Sequence, residues 1–69
     1  MTKYIAYTYR GRKYRESGPH ETREAAAAEL FAAIPANVYS VETAKAVEIA
    51  PGSWKTYGMD IQPIQRPRA

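Results

Sequence analysis

One stretch, Thr22 to Pro35 (TREAAAAELFAAIP), constrains the fold more than any other part of the chain. Thr22 is suited to an N-cap, Arg23 to Ile34 supply good helix formers with four consecutive alanines, and Pro35 has no N–H with which to continue. At about 100° per residue, Ala27, Leu30, Phe31 and Ile34 fall on one stripe, and Ala25, Ala28, Glu29 and Ala32 fall opposite. The apolar stripe predicts a helix laid across a sheet.

The flanking segments supply that sheet. Lys3 to Arg10 alternates, with Ile5, Tyr7 and Tyr9 on one side and Tyr4, Ala6 and Thr8 on the other. Arg10-Gly11 suits a tight hairpin turn, which sets Tyr9 opposite Arg12, Tyr7 opposite Tyr14 and Ile5 opposite Glu16. The tyrosine-rich side is then expected to face the core and the side with Lys13 and Arg15 to face outward. Ser17 to His20 reads as a loop to the helix cap.

Beyond the helix, Ala36-Asn37 make a short connection. Val38 to Ile49 then reads as a strand with Tyr39, Val41, Val47 and Ile49 in step. Lys45 breaks the alternation; a bulge near Thr43 to Ala46 restores it, although Glu42 to Ala46 also has helical character. Pro51-Gly52 is a turn, and Trp54 to Ile61 alternates with Tyr57, Met59 and Ile61 together. Pro63 and Pro67 argue against further pairing. The expectation is α+β: a single small ββαββ domain over residues 1–62, with an antiparallel sheet of about four strands and one helix packed across one face. Residues 63–69 are expected to form an extended basic tail.

Charge is unevenly placed. The net charge is +3, yet residues 1–15 hold five bases and no acid, residues 16–50 carry −4, and residues 51–69 return to +2. Cysteine is absent, which removes disulfides and thiolate ligands and suits a reducing compartment. No apolar run approaches the roughly 18 residues of a membrane span, and the first residues lack a signal peptide's apolar region. A cytoplasmic protein without a membrane partner is expected.

Catalysis has little to draw on. His20 beside Glu21 is the one acid–base pair, in a loop; a lone histidine offers no metal-ligand spacing, and the glycines are too scattered to cradle phosphate. No enzyme activity, metal, cofactor or small-molecule substrate is expected. The basic hairpin is the main functional feature. Arg10, Arg12, Lys13 and Arg15 lie within six residues, with Tyr4 and Tyr14 interleaved to stack on bases and Arg66 and Arg68 to add phosphate contacts. The alternative is that these cations only block edge pairing while the tyrosines pack in the core. Ala25, Ala28 and Ala32 form a smooth outer strip, a second candidate interface or simply good helix formers. A homodimer through sheet edges or this strip fits the same pattern.

The segment YIAYTYRGRKYRESGPHETREAAAAEL resembles the amino-terminal arm-binding domains of tyrosine-type phage integrases, in which aromatic strands joined by a basic glycine turn lead to a helix. The matching positions are Gly11, Arg12, Lys13, Arg15, Thr22, Glu24 and Ala25, and the resemblance implies a strand face inserted into DNA. That family places three strands before its helix where two are expected here, and two further strands follow. In size, layout and charge the whole chain is also similar to small phage-encoded inhibitors, among them type I anti-CRISPR proteins. This implies docking on a host surveillance complex by protein–protein contacts and blocking of target DNA binding. The expected function is non-enzymatic binding, phage or mobile-element encoded, to nucleic acid or to a nucleic-acid-binding complex through the basic β-hairpin.

Overall fold

A computed structural model describes residues 2–10 and 13–67, with only the backbone of Arg10. The elements run β1 (Thr2–Arg10), β2 (Lys13–Glu16), α1 (Arg23–Ala33), β3 (Ser40–Ala50) and β4 (Ser53–Gln65). The strands form one antiparallel sheet in the order β2-β1-β3-β4, with the helix packed against it. This is the α+β architecture that the sequence predicts.

Helix α1 forms where its capping residues dictate. The Thr22 hydroxyl accepts the N–H of Ala25 at 3.1 Å, and the Ile34 N–H closes the last turn on the Leu30 carbonyl at 3.1 Å. Its buried side carries Ala26, Ala27, Leu30 and Phe31, joined by Ile34, and meets Ala6 and Val41 of the sheet. Burying Leu30, Phe31 and Ile34 stabilises the fold by roughly 2 kcal/mol each before chain entropy is counted. Ala25, Ala28 and Ala32 lie outward, as the periodicity predicts.

The side of the β1–β2 ribbon that the helix covers is the reverse of the expected one. The observed pairs are Tyr9 with Tyr14, Tyr7 with Glu16 and Arg10 with Lys13, two residues along β2 from the predicted register. An even shift leaves the division into sides unchanged. The helix nevertheless lies over the side bearing Tyr4 and Ala6; on the other side Ile5 is buried as expected, Tyr7 is half-buried, and Tyr9 and Tyr14 are left exposed. Small side chains allow the contact: Ala6, with no exposed surface, lets the Ala26-Ala27 shelf come close, and Tyr4 packs against the same cluster. The predicted turn at Arg10-Gly11 falls partly outside the described residues.

The edge beyond β2 is completed by the loop. Ser17 is buried; its hydroxyl accepts the Ala6 N–H at 3.0 Å and its own N–H donates to the Ala6 carbonyl at 2.7 Å. His20 then exchanges two backbone hydrogen bonds with Tyr4.

In β3 and β4 one expectation holds and two details are corrected. Glu42 to Ala46 is strand, as expected, and the register shifts beside Lys45, but the extra residues lie on the partner strand and not on β3. Ala44 pairs with Ile61 and Ala46 with Thr56, so Tyr57 to Asp60 stand opposite Lys45 alone. Strand β4 also continues through Pro63, which lies opposite Glu42, to Gln65, so the predicted tail begins inside the sheet. Proline is tolerated because β4 is an edge strand, where an N–H can be missing on the outer side. Ile64 packs against the core. The turn at Pro51-Gly52 forms as predicted, with Gly52 at φ 81°.

Candidate interaction site

The two sides of the β1–β2 ribbon differ in chemistry because strand side chains alternate. The helix side presents Lys13 and Arg15, both exposed, beside the C-terminal end of α1. An Arg15 Nη1–H donates to the Ala33 carbonyl at 3.3 Å, one of the carbonyls a helix end leaves without an intrahelical partner. Lys13 makes no ion pair among the described residues. Thr8, Lys13, Arg15, Ile34, Pro35 and Val38 line an open groove of about 310 Å³.

The other side is aromatic. The Tyr9 and Tyr14 ring centroids lie 4.9 Å apart and those of Tyr7 and Tyr14 6.3 Å apart. Tyr9 is 73% exposed and Tyr14 47% exposed. The sheet register seats Tyr7 between Glu16 on β2 and Glu42 on β3. The Tyr14 hydroxyl donates to Glu16 Oε2 at 2.8 Å. Desolvation by its neighbours, with that carboxylate next in weight, pushes the Tyr14 phenol up to about 12. Tyr7 is raised for the same first reason, with Glu42 adding to it.

Several residues chosen from sequence are engaged elsewhere. Tyr4 packs against the core, and the Arg23 guanidinium lies 4.8 Å from its ring centroid, so it is no stacking platform. Arg66 is a correction: its guanidinium donates to the carbonyls of Phe31, Pro35 and Val38, each at 3.1 Å, and lies 4.6 Å from the Phe31 ring centroid. It closes the end of the helix and is not a loose phosphate ligand. Arg12, Arg68 and the Arg10 side chain lie outside the described residues. Ala25, Ala28 and Ala32 are exposed on the helix, away from the ribbon's tyrosine side.

Among the described residues, Glu21, Glu29 and Asp60 are engaged away from Lys13 and Arg15. Glu21 meets Lys3 at 3.1 Å, and Asp60 meets Arg23 at 2.6 Å and Lys45 at 3.4 Å. Glu29 accepts the Gly18 N–H at 2.7 Å and approaches His20 Nε2 at 2.8 Å; these two bonds, the backbone one first, hold its carboxyl below the ordinary value. His20 therefore meets Glu29 and not the neighbouring Glu21. Among the described residues no cluster of three or more histidine, cysteine, aspartate or glutamate side chains is placed to hold a metal ion. Among the described residues no helix is long and apolar enough to cross a membrane.

The sequence reading missed the exposure of Tyr9 and Tyr14, the groove and the role of Arg66. No local signal carried the first of these, because alternation divides β1 into two sides without saying which one a helix covers. Compared with protein-family models, curated proteins and solved structures, the chain matches none.

Proposed function

We propose that this chain is a non-enzymatic binding protein, encoded by a phage or mobile element, that docks through its β1–β2 hairpin on a nucleic-acid-binding protein complex and obstructs it. The observation that carries the reading is the seating of Tyr7 between Glu16 and Glu42, with Tyr9 and Tyr14 exposed beside it. Aromatic rings next to carboxylates suit the arginine-rich surface such a complex offers to phosphates: guanidinium groups stack on the rings and pair with the acids. The same carboxylates repel a bare phosphate backbone on this side. The phage assignment draws on the resemblance in size, layout and charge.

Direct nucleic-acid binding is the second reading, favoured by Lys13, which has no carboxylate partner among the described residues and follows Arg10 and Arg12 in sequence. A pull-down from host lysate, with and without nuclease, separates the two. Docking on protein returns a nucleic-acid-binding complex that survives digestion and is lost with Tyr9→Ser and Tyr14→Ser together. Direct binding gives a partner lost on digestion, and an affinity for isolated DNA that falls steeply with salt.

A further inference from the structure

The groove on the helix side of the ribbon is distinct from the tyrosine surface and differs from it in kind. Its walls come from three elements: Thr8 of β1, Lys13 and Arg15 of β2, and Ile34, Pro35 and Val38 just after α1. The apolar wall is aliphatic and the opposite wall carries two cations. A helix C-terminus normally repels anions, because its free carbonyls concentrate partial negative charge. Here that charge is met from within: Arg66 takes the carbonyls of Phe31, Pro35 and Val38, and one N–H of Arg15 takes that of Ala33. The Lys13 ammonium and the remaining Arg15 N–H groups are left for a ligand.

We propose that this groove binds a peptide segment of a partner protein that presents an aliphatic side chain flanked by carboxylates. The cations select for acidity, and the wall selects for what accompanies it. Ile34, Pro35 and Val38 supply no aromatic ring on which a base could stack and no side-chain hydrogen bonds, so the polar edges of a base set against this wall would be left unpaired. A leucine or isoleucine side chain has no such groups to satisfy. At about 310 Å³ the groove lies at the small end of ligand sites. It is suited to one or two side chains.

The test uses the isotopically labelled full chain, titrated by NMR with an acetylated octapeptide of alternating glutamate and leucine. The expected result is saturable shifts at Thr8, Lys13, Arg15, Ile34 and Val38. At least tenfold weaker binding is expected for Lys13→Glu, for a peptide with alanine in place of leucine, and on raising the salt to high ionic strength. Lys13 is exposed, so an unchanged spectrum of the free variant establishes that it folds; the alanine peptide requires no variant at all. No shift at these residues at millimolar peptide overturns the proposal. So does equal binding of a peptide with lysine in place of glutamate, or tighter binding of an oligothymidine at the same residues. Because Tyr9 and Tyr14 take no part, Tyr9→Ser with Tyr14→Ser leaves peptide binding unchanged; its loss in that variant also overturns the assignment to the groove.

Discussion

The Arg66 guanidinium lies over the Phe31 ring, 4.6 Å from its centroid, and donates to the carbonyl of that same residue at 3.1 Å. One side chain from beyond β4 thus closes the end of a helix 35 residues earlier in the chain, adding the carbonyls of Pro35 and Val38. A residue that reads as part of a loose basic tail is a structural clamp.

Replacing Arg66 by alanine leaves three carbonyls without this donor and removes the cation from the ring. The expected loss is about 2–3 kcal/mol, from charged hydrogen bonds at partly buried sites with a smaller contribution from the ring contact. In a chain of this size that lowers the melting temperature by roughly 10–20 °C, followed by circular dichroism. Arg66→Lys should recover only part of it, since an ammonium cannot span three carbonyls as the planar fork does.

Asp60 holds the bulged segment of β4 against the helix through Arg23, whose side chain is only 12% exposed. Asp60→Asn keeps the shape but leaves that guanidinium without its counter-charge, at a cost of about 2 kcal/mol. Urea unfolding measures the loss, and amide exchange should speed up at Tyr57, Gly58 and Met59 first.

Ala6 lies on the side of the ribbon that the helix covers. Ala6→Leu pushes the bulk of about three extra carbons toward the Ala26-Ala27 shelf and is expected to destabilise by roughly 1–3 kcal/mol through overpacking. Thr2→Leu, at an exposed position, is the control and should be nearly neutral by the same unfolding measurement.

Two pH dependences follow with opposite signs. Glu29 has a folded-state pKa below its ordinary 4.5, so the stability it contributes is present above that value and is lost as pH falls through the lower one. Glu29→Gln should flatten stability against pH in the acid range below about 4.5. Tyr14 is the reverse case: its phenol is raised from 10.0 to about 12, so its contribution is present below 10.0 and is lost as pH rises toward 12. Absorbance titration should show one high-pH tyrosine step removed by Tyr14→Phe.

Local chemistry was readable in the residues themselves. The cap at Thr22, the apolar stripe from Ala27 to Ile34, the turn at Pro51-Gly52 and a bulge beside Lys45 all follow from propensity, periodicity or backbone geometry within a few positions. Those features determined the element order and the α+β class. What needed the tertiary structure were choices between equivalent local options. Alternation divides β1 into two sides but does not say which one a helix will take; the helix packs on Ala6 and Tyr4, on the side without Tyr7 and Tyr9. Pro63 looks like an end to pairing until β4 is found at the edge of the sheet, and Arg66 looks solvated until the end of α1 arrives beneath it. In each case the deciding energy belongs to a contact between segments far apart in sequence, and no window along the chain contains both partners.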